Sequence, residues 1–169
     1  MKKVLAILLT VLSFSSFAEI KDINKMPFGM VGEEQTATSY FHMDDGSTWK
    51  NTVSISVGKD GMQRVYFTRF YSTGSYCTLK GSKSGTEQQV WTVDGQNVRM
   101  SVYCSEYTDS KGEYYQTAYA TSNAGERFIS ERFKKAQSEV SVKDTNGFLV
   151  NYSAKGFTKA WNTAGGNAL

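Results

Sequence analysis

The segment from 87 to 107, EQQVWTVDGQNVRMSVYCSEY, decides the fold. Asp94-Gly95 separates two runs in which apolar and polar residues alternate, and a two-residue Asp-Gly connection favours a type I′ turn. Such a turn sets the register of a hairpin and places Trp91 opposite Val98. One face of the hairpin is then polar, and the other is apolar. The predicted apolar face carries Trp91, Val93, Val98, Met100, Val102 and Cys104.

Further strands are indicated by the same alternation between turns rich in Gly, Asp and Asn. They are expected at Thr52 to Val57, 62 to 71, Tyr76 to Lys80, Glu113 to Thr121, Glu139 to Lys143 and Phe148 to Ser153. The last two form a second hairpin through Asn146-Gly147. The sequence therefore predicts an all-β, mainly antiparallel fold, either a single β-sandwich or a flattened β-barrel.

Three other segments depart from this simple pattern. Residues 21 to 34, around the sole proline, Pro27, are predicted to form an irregular lead-in. Residues 126 to 138 fit either a weak helical stripe or a strand that runs into a turn, and we favour the strand. From Phe157 to Ala164 the apolar residues recur at helical spacing, which predicts a short C-terminal helix that ends at Gly165-Gly166.

Residues 1 to 18, MKKVLAILLTVLSFSSFA, have the organisation of a secretory signal peptide. Two lysines precede an apolar run that ends at Phe14, and small residues mark a cleavage site after Ala18. The apolar run is shorter than the roughly 20 residues that a transmembrane helix needs. We therefore expect no transmembrane segment and a single exported β-rich domain over 19 to 169, in the periplasm or outside the cell.

The charge and the two cysteines narrow the class of protein further. Cleavage lowers the 19 basic residues to 17 against 16 acidic ones, a net charge of +1 that does not predict nucleic-acid binding. In an oxidising compartment, Cys77 and Cys104 are expected to form a disulfide. Closing that loop would stabilise the fold by about 3.5 kcal/mol. A zinc site would need two more Cys or His ligands, and the chain has one His, so no metal is expected.

No catalytic motif stands out from the sequence. His42 is the only histidine and could act as a general base with Asp44 or Asp45, yet no nucleophile is marked as its partner. The Asp-Asp-Gly that follows is typical of an ordinary turn. Residues 81 to 85, GSKSG, place serine at the wrong position for a G-x-S-x-G nucleophile. We therefore expect no enzymatic activity and no cofactor.

Tyrosines cluster around one predicted strand pair, and the hairpin register places one of them on the polar face beside an arginine. Tyrosine and arginine are enriched at protein interfaces. The alternative is that a second sheet covers these rings and makes them part of the core. The predicted binding residues are Arg99, Tyr103, Tyr107, Tyr114 and Tyr115.

Together, these features predict an exported, non-enzymatic binding protein whose partner is another protein. An inhibitor or immunity protein that blocks a secreted toxin or enzyme is the form we favour. A carbohydrate-binding or cell-wall-binding module would use the same tyrosines and remains open. A small hydrolase that uses His42 is a third possibility.

Overall fold

In the part of the chain that the structure describes, nine antiparallel strands form one sheet, and two helices pack against it. The computed structural model describes residues 22–31, 34–42, 48–71, 85–106 and 113–164. The elements are β1 (Asp22–Val31), β2 (Glu34–His42), β3 (Thr48–Val57), β4 (Gln63–Tyr71), β5 (Gly85–Val93), β6 (Gln96–Glu106), β7 (Tyr114–Ala120), α1 (Asn123–Lys135), β8 (Glu139–Lys143), β9 (Leu149–Ser153) and α2 (Phe157–Ala164).

The sheet curls until its two edge strands approach each other, which makes it nearly closed and barrel-like. The strand order is β1-β2-β3-β4-β7-β6-β5-β8-β9. Across the closing seam, the Phe28 backbone N–H donates to the Lys155 carbonyl at 3.0 Å, and the Ser39 hydroxyl donates to the Asn151 carbonyl at 3.3 Å. The all-β fold with a short C-terminal helix is therefore confirmed.

The hairpin of β5 and β6 has the predicted register, with Trp91 opposite Val98. Asp94 and Gly95 both have positive φ, 44° and 80°, as a type I′ turn requires. The six apolar side chains predicted for one face of this hairpin are all buried. The β8–β9 hairpin is also confirmed.

The core fills the inside of the curled sheet and the space beneath the two helices. Phe133 of α1 stacks on Phe157 of α2, with ring centroids 4.9 Å apart, and both rings lie close to Phe28 of β1. Phe67 of β4 extends this cluster towards Trp91, at 6.3 Å. Because α2 buries Phe157 and Ala160, as its periodicity predicts, it anchors the end of the chain to the barrel.

Residues 126 to 138 do not form the strand that we expected. Helix α1 runs from Asn123 to Lys135, and the Ser122 hydroxyl caps it by accepting the Gly125 backbone N–H at 3.1 Å. Its buried residues lie at i, i+3, i+4 and i+7, the spacing of one helical face. Two of the four are polar, so the apolar pattern alone does not reveal the helix. They are Glu126, Ile129, Ser130 and Phe133.

The expected irregular lead-in over 21 to 34 is largely β1, which pairs antiparallel with β2. Its register shifts between Met26 and Gly29, which places Pro27 where the ladder is interrupted. An edge strand tolerates proline because one side of its backbone needs no partner. The predicted signal peptide and the predicted strand from Tyr76 to Lys80 lie outside the described residues.

A buried ion pair joins opposite sides of the barrel. Arg69 of β4 donates to the carboxylate of Asp144, which follows β8, and both side chains are almost fully buried. The Arg69 guanidinium lies 4.9 Å from the Trp91 ring centroid and 4.7 Å from that of Phe148. The second Asp144 oxygen accepts the Phe148 backbone N–H at 2.8 Å. The pair therefore couples β4 to the β8–β9 turn through the interior.

Candidate functional site

The outer face of the sheet, defined as the outward-pointing positions of β3 to β7, is basic and rich in tyrosine. Alternation along these strands places Lys50, Arg64 and Arg99 on the outer face. The two acidic residues of the same strands, Glu87 and Glu106, occupy inward-facing positions of the alternation, and Glu106, at the end of β6, is exposed. The charged side chains of the outer face therefore all carry the same sign.

An open hollow of about 410 Å³ lies on this face, where the β3–β4 turn meets the outer side of β6 and β7. Three of its lining residues are tyrosines from three different strands, and the others belong to the turn or to the start of β4. We call this site the tyrosine depression. Its residues are Gly58, Lys59, Asp60, Arg64, Tyr66, Tyr103 and Tyr119.

The turn that borders the tyrosine depression is held by local hydrogen bonds. The Gly58 N–H donates to the Met62 carbonyl, and the Gly61 N–H donates to the Gly58 carbonyl, both at 2.9 Å. A Cβ atom at Gly58 would overlap the Arg64 side chain and lie 2.9 Å from the Asp60 carboxylate. Because glycine has no Cβ atom, the Arg64 and Asp60 side chains can lie directly against the backbone at this position.

Asp60 and Arg64 form a bidentate ion pair at the rim. Two guanidinium nitrogens of Arg64 donate to the two carboxylate oxygens of Asp60, at 2.6 and 2.5 Å. The hydrogen bond from Arg64, together with one from the Met62 backbone, holds the pKa of Asp60 well below its usual value. The same ion pair raises the pKa of Arg64. Both groups are therefore charged at any physiological pH.

The wall of the depression is built from rings that contact one another. The centroids of Tyr66 and Tyr119 lie 5.5 Å apart, and the Arg64 guanidinium carbon lies 5.7 Å from the Tyr119 centroid. Burial is the main reason that the pKa of Tyr66 is raised, so its hydroxyl stays protonated. The wall thus presents the protonated Tyr66 hydroxyl beside a guanidinium that an ion pair holds in place.

A buried carboxyl lies directly behind the depression. Glu126 of α1 is only 6% exposed, and it accepts the Val65 backbone N–H at 2.5 Å. Burial raises the pKa of Glu126 to about 7, against the opposing effects of the Val65 and Ala120 backbone amides and of the Arg64 charge. Its second oxygen has no hydrogen-bond partner.

The predicted binding residues fall into different parts of the structure. Tyr103 lines the tyrosine depression. Arg99 is exposed on the same face, but it lines a separate hollow of about 320 Å³ beside the start of α1. Tyr115 also lies on the outer face, partly exposed. Tyr114 points inward and is only 7% exposed, whereas Tyr107 lies outside the described residues.

The sequence did not identify most of the depression, namely the β3–β4 turn and Tyr66. The alternation of residues 62 to 71 does indicate an outward Tyr66, opposite in direction to Phe67. The pairing of β4 with β7, which brings Tyr66 to Tyr119, joins strands more than 40 residues apart and leaves no local signal. All described strands belong to one sheet, so within the described residues no second sheet covers the tyrosine rings of the depression.

The other sequence candidates contribute little to this site. Cys104 is buried, at 1% exposure, and is not a free thiol, but Cys77 lies outside the described residues, so their pairing stays a prediction. His42 is the last residue of β2, and its side chain is outside the described part. Within the described ranges, no three acidic, histidine or cysteine side chains group to hold a metal ion, and no helix has the length and apolarity to cross a bilayer.

Comparison with known proteins gives no match at the level of a protein-family model, a curated protein or a solved structure. The fold and the tyrosine depression are therefore the basis on which a function is argued.

Proposed function

We propose that this chain is an exported, non-enzymatic binding protein that holds another protein against the outer face of its sheet. An inhibitor or immunity protein that blocks a secreted enzyme or toxin is the form we favour. The observation that carries this proposal is the tyrosine depression, in which Tyr66, Tyr103 and Tyr119 surround an ion-paired arginine in an open hollow. Tyrosine and arginine dominate the energetics of protein interfaces.

The rigidity of the depression supports a binding role. Its tyrosines stand on paired strands, and the Asp60–Arg64 ion pair and the turn hydrogen bonds hold its rim. A partner would therefore find the side chains already ordered. Association loses less conformational entropy at such a preformed surface, which favours affinity.

The chemistry of the depression favours binding over catalysis. Its one carboxylate, Asp60, is engaged by Arg64 and by the Met62 backbone N–H. Because these hydrogen bonds lower its pKa, Asp60 is a weak proton acceptor near neutral pH. The tyrosine hydroxyls beside it can donate hydrogen bonds to a partner without any covalent step.

The proposal is tested by affinity capture with the mature, oxidised protein from its own cells, followed by calorimetry with each captured partner. We expect Tyr103→Ala to weaken binding at least tenfold while the thermal melt changes little. Tyr40→Ala is the matched control, because Tyr40 is a partly exposed tyrosine of β2, outside the depression. Equal affinity of the wild type and Tyr103→Ala for every captured protein would refute the site.

Two further arms of this experiment separate the alternative functions. Selective retention on purified cell-wall material, lost in Tyr103→Ala, would favour a glycan-binding module over a protein binder. Hydrolysis of a substrate on a broad panel, abolished by His42→Ala, would favour the hydrolase.

A further inference from the structure

We propose that the tyrosine depression receives an acidic protein surface, and that this binding strengthens when Glu126 takes up a proton. The inference rests on the proposed function, because it names the partner's charge and the regulation of that same site. Glu126 lies behind strand β4, and its charge acts on the depression without touching the partner.

The acidic partner follows from the charges around the depression. The ion pair with Arg64 neutralises the negative charge of Asp60. Lys59, at the rim, makes no ion pair among the described residues. Lys50 and Arg99 add further positive charge on the same face, and the acidic residues of these strands occupy inward-facing positions of the alternation. Complementary charge steers association and excludes partners of the wrong sign.

The coupling follows from where Glu126 binds the sheet. The pairing of β4 with β7 ends at Phe67 and Ala118, and beyond this point the two strands separate. The Glu126 carboxyl accepts the Val65 N–H there, at a position where β7 no longer pairs with β4. Residues on either side of Val65 point outward and line the depression.

The charged and titratable groups near Glu126 come mainly from β4. Arg64 and Tyr66 flank Val65, and Tyr119 of β7 lies beyond them against Tyr66. The charged residues of β8 and α2, the other elements that contact α1, have exposed side chains and do not shift the pKa of Glu126. These distant groups are Glu139, Lys143 and Lys159.

The direction of the effect follows from Coulomb's law. Above its pKa, the ionised Glu126 places a negative charge behind the depression, which repels an anionic partner; below its pKa, this repulsion is removed. For charges roughly 10 Å apart, the change in affinity for an anion is about two- to tenfold. By reciprocity, an acidic partner raises the proton affinity of Glu126 by the same factor.

The test measures binding of poly-L-glutamate to the mature protein at pH 6 and pH 8, at low ionic strength. The carboxylates of this probe stay ionised in both buffers because their pKa is about 4.3. Glu126→Gln keeps a side-chain acceptor for the Val65 N–H and mimics the protonated acid. Glu131→Gln, on the same helix and partly exposed, is the matched control, and His42→Gln removes the only histidine, a residue type whose ordinary pKa of about 6.5 lies in this range.

We expect wild type, Glu131→Gln and His42→Gln to bind about two- to tenfold more tightly at pH 6 than at pH 8. Glu126→Gln should bind equally at both values, with the affinity that the wild type has at pH 6. In NMR titrations, the Arg64 and Tyr66 resonances should shift with a midpoint near pH 7 in the wild type and not in Glu126→Gln.

Three outcomes would overturn the inference. A pH dependence retained in Glu126→Gln would remove Glu126 from the coupling, and no pH dependence in the wild type would remove the coupling itself. No binding of poly-L-glutamate at either pH would exclude the acidic partner. None of these outcomes touches the proposed function, which fails only if captured partners bind wild type and Tyr103→Ala equally.

Discussion

Breaking the ion pair between Arg69 and Asp144 should destabilise the fold strongly, whereas removing both charges should not. Asp144→Asn keeps an oxygen that can accept the Phe148 N–H, so the change removes mainly the negative charge. It removes the negative charge that faces the buried Arg69 guanidinium, which lies 4.9 and 4.7 Å from the Trp91 and Phe148 ring centroids. An uncompensated buried charge is costly because the protein interior solvates it poorly.

The expected magnitude follows from the burial of both partners. Removing one member of a buried pair costs about 3–5 kcal/mol of unfolding free energy, so we expect a loss in this range for Asp144→Asn. Replacing Arg69 by Met as well leaves an apolar side chain among aromatic rings, where a thioether packs favourably. The double variant should therefore lie within about 2 kcal/mol of the wild type, well above Asp144→Asn alone.

The assay is urea unfolding of the protein at pH 7 without reductant, followed by tryptophan fluorescence, to which the buried Trp91 contributes. Equal slopes of free energy against urea concentration in wild type, both single variants and the double variant would show that the unfolded states are comparable. The reasoning would be refuted if the double variant lost as much as the sum of Asp144→Asn and Arg69→Met, or if Asp144→Asn lost less than about 1 kcal/mol.

Three further predictions concern the acid behind the depression, the tyrosines of β7 and the hairpin turn. Between pH 4.5 and 7 the folded protein retains a proton on Glu126 that the unfolded chain releases, so wild-type stability relative to Glu126→Gln should fall as pH rises. In urea unfolding, the stability of wild type relative to Glu126→Gln should fall by about 3 kcal/mol between pH 4.5 and pH 8. The same relative stability at both pH values would contradict this prediction. Tyr114→Ala should lower the unfolding free energy by about 2–4 kcal/mol and Tyr115→Ala by less than about 1, since one is buried and the other partly exposed. Equal losses for the two tyrosines would contradict their opposite orientations. Gly95→Ala should cost about 1–2 kcal/mol in thermal unfolding because φ is 80° there, and an unchanged melt would argue against the type I′ turn.

Local patterns were sufficient to predict both hairpins, the C-terminal helix and the buried face of the β5–β6 hairpin. The Asp94-Gly95 connection sets a register that the whole of β5 and β6 follows. Helix α1 was missed because Glu126 and Ser130 occupy two of the four positions on its buried face. A polar residue at a buried position is stabilised by a tertiary contact, here the Val65 N–H, which no local pattern contains.

The candidate site was only partly predictable for the same reason. Alternation along β6 predicts that Tyr103 and Arg99 share a face, and both do lie on the outer face. It does not predict that Tyr103 joins Tyr66 and Tyr119 in one hollow, since that depends on β4 pairing with β7 across the intervening hairpin. The inward direction of Tyr114 depends on the register of β7, which its sequence, rich in tyrosine on both faces, leaves ambiguous.

The strand order has a consequence for how the chain folds. Strands β1 to β4 form one run of consecutive hairpins and β7, β6 and β5 another, and β4 pairs with β7 at the junction between them. Each run assembles from neighbours in sequence, so their joining is the slow, non-local event. Until then the edges of β4 and β7 stay open to a second chain. Refolding at high protein concentration should consequently produce domain-swapped dimers, in which β4 of one molecule pairs with β7 of another.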